Sequence, residues 1–266
     1  MSIITKNQGS LEYLQAEGIS VPHAFTTRFG GVSTGAQESL NIAFGNGDTM
    51  ENVEANIRIL AKALDFDPEK LVCPRQTPTN WVRVVTDRDH ISLCHRDYPE
   101  CDGLVTGTPG TALMIYTADC TPILLHDPVT GAVGAVHAGW RGTVGAIAKV
   151  AVQTMANAFG CDPANIRAAI GPNIGKCHFE TDSDVPQALR DAFGEEVSPY
   201  IEQTGEKYHV DLKQVNAMVL RRAGVRHIEI SPVCTYCDHD RFWSHRVTGG
   251  IRGSQGAVIV CKEAKR

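Results

Sequence analysis

The runs PILLH (122–126), AVGAVH (132–137) and AVIVC (257–261) carry apolar side chains at successive positions rather than at alternate ones. Successive strand residues point to opposite faces of a sheet, so these strands demand cover on both sides, from helices or from a second sheet. WVRVVT (81–86), ALMIYTA (112–118), IRAAI (166–170) and HIEIS (227–231) read as further strands. Segments of helical period lie between them. In DTMENVEANIRILAKAL (48–64), Val53, Ile57, Leu60 and Leu64 form one stripe, and Asp48 with Glu51 reads as a capping box. A second helix is predicted from Thr143 to Phe159, burying Ile147, Val150, Ala151, Met155 and Ala158 and ended by Gly160. Two more are predicted near 184–193 and 211–223. No repeat or linker divides the 266 residues, so residues 1–266 are expected to form a single α/β domain with central mixed β-sheets flanked by helices.

A formal net charge of −5 offers no basic excess for a nucleic-acid surface. No apolar run is long enough to span a bilayer, and the opening MSIITKNQGSLEYLQ has no leader pattern. A cytoplasmic protein is expected, and nothing demands more than a monomer. Nine irregularly spaced cysteines point to reduced thiols rather than a disulfide framework.

In TADCTPILLHDPVTGAVGAVHAGWRG (117–142) the turn DPVTG joins two strands that should pair antiparallel. Cys120 then falls opposite His137 or one residue out of step with it, with facing Cβ atoms about 4.5–5.5 Å apart. A one-residue slip decides whether the two share a face. On one face, a thiol and an imidazole can bind a metal or form a nucleophilic pair. On opposite faces they are a small buried hydrophobe and a histidine satisfied by backbone. HAGWRG follows at a strand end, with glycines that allow close backbone approach, a helix start, and Arg141 as a cationic fork suited to phosphate. The same stretch also suits a tight turn plugged by Trp140. Cys234 and Cys237 form a lone C-x-x-C near His239 and His245, a spacing that favours strand-end thiols over a metal knuckle.

TADCTPILLHDP, AVHAGWRGTV and IGPNIGKCHFE, with TTRFGGVSTG and SLN upstream and FWSHR downstream, resemble the laccase-domain (polyphenol oxidase-like) family, YfiH-like, over about Phe25 to Arg252. The resemblance implies a purine nucleoside phosphorylase cleaving adenosine, inosine, guanosine or methylthioadenosine with phosphate, with adenosine deaminase activity besides. It also implies zinc held by one cysteine and two histidines. Cys120 and His137 map onto two ligands and serve as the catalytic pair. The third ligand position, in RQTPTN, is Pro78, which has no donor atom. His23, His90, His95 and His178 are conceivable replacements. The departure leaves open a weakened zinc enzyme, a metal-free Cys–His hydrolase or deamidase, and a nucleoside-binding protein without turnover. Copper chemistry is disfavoured, since the ten histidines form no His-x-His array. Within these motifs, Arg28 and Arg141 are the candidates for anion binding, and Ser33 and Asn41 for hydrogen bonds to phosphate or ribose.

Overall fold

The computed structural model describes residues 2–90 and 100–263. Two six-stranded mixed sheets pack face to face and helices cover both outer faces, so the apolar runs are buried on both sides as their composition requires. The first sheet has the order β1 (Ile3–Gln8), β2 (Leu11–Ala16), β3 (His23–Thr26), β15 (Gln255–Val260), β7 (Ala112–Thr117), β4 (Leu71–Val72). The second has the order β14 (His227–Ile230), β10 (Arg167–Ile170), β8 (Thr121–His126), β9 (Val133–Ala138), β6 (Gly103–Thr106), β5 (Val82–Val84). A three-stranded ribbon of β11 (Glu180–Thr181), β13 (Lys207–Val210) and β12 (Ile201–Thr204) stands apart from both.

Alternation along the strands sorts the core into layers. Leu113 and Ile115 of β7 meet Leu124 of β8 and Val133 and Ala135 of β9 between the sheets. Ile123, Leu125 and Val136 face outward, under the helices α3 (Ile147–Phe159), α4 (Asp184–Phe193) and α5 (Leu212–Arg222). On the opposite side Met114, Val258 and Val260 pack beneath α1 (Met50–Leu64) through its stripe of Val53, Ile57, Leu60 and Leu64.

Two helix boundaries differ from the sequence expectation. The N-cap of α1 is Thr49, whose hydroxyl accepts from Asn52 N–H, while Asp48 accepts from Thr49 N–H and the Asn52 side chain. The helix predicted from Thr143 is two helices, α2 (Trp140–Val144) and α3, separated by Ala146 at φ 52°. A Cβ at Gly145 would come within 3.0 Å of Asn80 Cβ, so the break occurs where the backbone presses against the 79–80 loop. Val150 is half-buried and Ala158 exposed, whereas Ile147, Ala151 and Met155 face the core and Gly160 ends α3 in the left-handed conformation. Among the described residues, no helix is long and apolar enough to cross a membrane.

Candidate active site

The hairpin β8–β9 pairs Thr121 with Ala138 and Pro122 with His137. The expected pairing of Cys120 with His137 is therefore corrected. The turn closes on Asp127 and Ala132, with Gly131 at φ 79°, and this sets the strands one or two residues further along. The shift preserves a shared face: Pro122, opposite His137, lies two residues from Cys120, so alternation puts Cys120 diagonally across from His137. Both side chains crowd the same spot. A Cβ at Gly139 would lie 3.4 Å from Cys120 Sγ and 3.8 Å from His137 Cε1. His137 shares the parity of Val133 and Ala135, which places the pair at the open end of the core between the sheets.

Asp102, just ahead of β6, completes the arrangement. Its Oδ1 lies 2.8 Å from His137 Nδ1, and its other oxygen accepts from the Thr79 N–H and hydroxyl at 2.9 and 2.7 Å. The Asp102 side chain is 2% exposed, so the carboxylate is committed to these partners. Burial drives the His137 imidazole toward its neutral form, but the charges of Cys120 and Asp102, with their hydrogen bonds, outweigh it and raise its pKa to about 10. Held between the Asp102 carboxylate and the Cys120 sulfur, the His137 ring favours its protonated form, which is suited to donating a proton from Nε2.

A cavity of about 550 Å³ opens beside the pair, lined by Phe44, Asn46, Gln76, Tyr116, Thr117 and Arg252 among others. This volume lies within the range of small-molecule sites, about 300–1,000 Å³. The Thr117 hydroxyl and Arg252 Nε are buried there without hydrogen-bond partners, while Arg252 Nη1 donates to Gly253 O and Ser254 Oγ. Burial lowers the Arg252 pKa, partly offset by the charges of Asp119 and Cys120. A half-buried guanidinium on a cavity wall, with an N–H that no described residue accepts, is equipped to take an anionic or strongly polar ligand. Sequence reasoning singled out neither Asp102 nor Arg252.

Of the motif residues, Arg141 lies on the wall of a smaller cavity shared with Pro78, Asp102, Cys120 and His137, its guanidinium 4.2 Å above the Trp140 ring. Arg28, Ser33 and Asn41 line none of the cavities around Cys120. Arg28 stacks 4.0 Å over Trp243 and donates to the carbonyls of Glu38 and His239. Ser33 and Asn41 are buried and donate to Asp48, and Asn41 Oδ1 accepts from the N–H groups of Ala43 and Ser254. These three brace the loop that carries Ala43 and Asn46 to the cavity, and Asn41 ties that loop to Ser254 just ahead of β15. The start of α2 follows His137 as expected, but the helix is only five residues long.

The zinc set implied by the resemblance does not fit these residues. Cys120 and His137 supply two donors, and Pro78, which has no donor atom, occupies the third position. Among the described residues no third cysteine, histidine or carboxylate joins the pair within ligand range. His23 is engaged by Ala16 N–H and Val21 O, and His90 by Thr111. His95 lies outside the described residues.

His178 belongs to a different cluster, where its ring meets Cys177, Cys234 and Cys237 in a group that could hold a metal ion. The expectation that Cys234 and Cys237 are isolated strand-end thiols is thereby corrected. So is the pairing with His239, which bonds Tyr236 O, and with His245, which lines a separate cavity beside Arg246.

Residues 22–262 match the family model described as multi-copper polyphenol oxidoreductase laccase. The chain is 41% identical over 254 residues to a purine nucleoside phosphorylase of Deinococcus radiodurans, covering 94% of this chain and 92% of that one. It is 36% identical over 258 residues to one from Bacteroides thetaiotaomicron, covering 94% and 95%. The crystal structure of YlmD from Geobacillus stearothermophilus superposes with a TM-score of 0.91 at 35% identity, covering 98% of this chain and 100% of that one. With the motifs, the two-sheet fold and these relatives in agreement, the chain belongs to the YfiH-like laccase-domain family.

Proposed function

We propose that this chain is a purine nucleoside phosphorylase whose reaction takes place in the cavity beside Cys120 and His137. The observation that carries the reading is the convergence on one cavity of an imidazole oriented by the Asp102 carboxylate and a half-buried arginine whose Nε–H has no partner among the described residues. Relatives bearing the phosphorylase name across nearly the whole chain support it.

In phosphorolysis a phosphate oxygen bonds to the ribose carbon as the bond from that carbon to the purine nitrogen breaks. The departing base carries away the electron pair and needs a proton. His137 Nε2–H supplies that proton, and Asp102 keeps Nδ1 protonated and the ring in register. Arg252 binds phosphate, with Arg141 contributing from the smaller cavity. The rings of Phe44 and Tyr116 offer the purine an apolar wall. Deamination forms no part of the proposal, because the residues around Cys120 do not supply a zinc ion's donors. The test is incubation of adenosine, inosine, guanosine and methylthioadenosine with and without phosphate, resolving free base and sugar phosphate. Phosphate-dependent release of base, abolished by His137→Ala, is expected.

One observation favours a second reading. A thiol, an imidazole and a carboxylate in sequence are also the parts of a metal-free cysteine hydrolase or deamidase. Release of ammonia from a carboxamide substrate without phosphate, with a trappable thioester at Cys120, favours that reading, and tight nucleoside binding without turnover favours a binding protein.

A further inference from the structure

The segments after β10 and β14 run side by side because those neighbouring strands pair in parallel and leave the second sheet at the same end. An isolated parallel bridge between Asn173 and Cys234, with Thr235 N–H donating to Asn173 O at 2.9 Å, continues the pairing beyond the strands. The first segment carries Cys177 and His178 and the second carries Cys234 and Cys237. Their ligand atoms all lie within 4.8 Å of one another.

The spacings match a tetrahedral ion. Zinc–sulfur bonds of about 2.3 Å and zinc–nitrogen bonds of about 2.0–2.1 Å put the ligands of a tetrahedral centre about 3.8 Å apart for two sulfurs and about 3.5 Å apart for sulfur and nitrogen. Cys177 Sγ and Cys237 Sγ are 3.7 Å apart. His178 Nδ1 lies 3.2 Å from Cys177 Sγ, 3.3 Å from Cys237 Sγ and 4.0 Å from Cys234 Sγ.

The surroundings orient these donors. Gly175 N–H donates to Cys234 Sγ at 3.1 Å, and a Cβ at Gly175 would come within 3.2–3.3 Å of two of the sulfurs, so the backbone approach needs glycine. The His178 ring stacks on Tyr236 at 4.0 Å and an interplanar angle of 16°, which turns Nδ1 toward the thiols. Buried Lys213 donates to Ser231 O and Val233 O, bringing a positive charge to the segment that holds Cys234. Hydrogen bonds to sulfur, a locked imidazole and a balancing cation are the usual support of a metal–thiolate centre.

We propose that Cys177, His178, Cys234 and Cys237 bind one zinc ion as a closed Cys3His site that fastens the two segments together. It is separate from the Cys120–His137 cavity and acts on it by position. Thr235, between two of the ligands, donates its hydroxyl to Asp119 Oδ1 at 2.6 Å, and Asp119 Oδ2 accepts from Arg246 N–H at 2.7 Å. Asp119 is in the left-handed region at φ 86° and immediately precedes Cys120, so the fastened segment holds the residue that aims the thiol. The proposal stands independently of the nucleoside reading.

Elemental analysis of the purified, reduced chain decides it, with Cys120→Ser as a comparison. One zinc per chain is expected in the wild type and in Cys120→Ser. Cys234→Ser should lose nearly all of it, and Cys237→Ser should lower affinity at least tenfold against a chromophoric chelator. Since Cys234 is buried and its variant can fail to fold, cobalt titration of the chelator-treated wild-type chain provides a second reading. Thiolate-to-cobalt charge-transfer and tetrahedral d–d bands at one equivalent support the site, and their loss in Cys237→Ser assigns it. A reduced chain that takes up neither ion overturns the proposal. So does zinc that leaves with Cys120→Ser but stays in Cys237→Ser, or a Cys177–Cys237 disulfide in place of metal in protein purified under reducing conditions.

Discussion

The molecule contains two thiol–imidazole clusters, and their difference lies in the company each imidazole keeps. At His137 one nitrogen is bonded to a buried carboxylate, a single thiol stands near the other, and an open cavity adjoins both. At His178 three sulfurs crowd one nitrogen, no described carboxylate bonds the ring, and a tyrosine ring fixes its plane. The first arrangement holds a proton ready for transfer to a ligand. The second presents four soft donors to a metal ion and leaves no position for a substrate. Residue type alone does not separate catalysis from structural ligation; the third and fourth neighbours do.

The largest effect expected from breaking this comparison is at His137. His137→Ala should lower kcat/KM for base release by about 10²–10⁴-fold, the range for loss of a positioned acid, while zinc content stays unchanged. Loss of zinc together with activity would show that the clusters are not distinct. Asp102→Asn comes next, with a smaller loss, since an amide cannot hold the ring in the same protonation state. Without the Asp102 charge the His137 pKa falls from about 10, so the alkaline limb of the rate profile should move to lower pH. An unmoved limb would remove Asp102 from the mechanism.

His126 sharpens the comparison from the other side. It is buried with Nδ1 unpartnered, facing His23 and Arg167 as well as Asp127, and burial is the main force lowering its pKa to about 4. The unfolded chain takes up that proton near pH 6.5, so between about 6.5 and 4 it binds more protons than the folded chain. Stability should be complete above about pH 6.5 and decline on acidification by about 3 kcal/mol, levelling off below about pH 4. Burial lowers the pKa of His23 as well, adding in the same direction. Urea midpoints between pH 7.5 and 4.5 measure the decline, and a His126→Gln variant with an equally steep decline would contradict the assignment.

The smallest expected effect is a gain. Pro78 is exposed on the wall of the Cys120–His137 cavity, so Pro78→His should be tolerated and should add a third donor. Zinc per chain should then rise by one at saturation, with affinity at Cys120 and His137 improved about tenfold or more. Adenosine deamination should rise, while phosphorolysis should fall as the ion takes up the His137 Nε2 that otherwise donates the proton. Equal gains, or none, would count against the reading of Pro78 as a lost ligand.

How much of this was legible in the chain depends on the range of each interaction. The apolar runs required a covered sheet, and DPVTG joined β8 to β9, so the meeting of Cys120 and His137 followed from local pairing. Asp102 was hidden because it reaches His137 through the pairing of β6 with β9, and glycine-containing GLVT lacks the apolar strength of the neighbouring strands. A carboxylate opening a strand that is otherwise wholly buried was the available signal. Cys177 and His178 were hidden for a similar reason: their partners stand 56 to 60 residues away, across the parallel pair β10–β14. Sequence proximity instead pointed to His239 and His245, which the loop turns elsewhere. Arg28, Ser33 and Asn41 make hydrogen bonds that brace loops, a use of motif polar residues that sequence alone does not separate from ligand binding.

Anomalous scattering at the zinc edge from crystals of the zinc-loaded, reduced protein tests the division of labour most directly. A single peak enclosed by Cys177, His178, Cys234 and Cys237, with none between Cys120 and His137, is the expected map. A peak between Cys120 and His137 with none at the four-residue cluster would contradict the account.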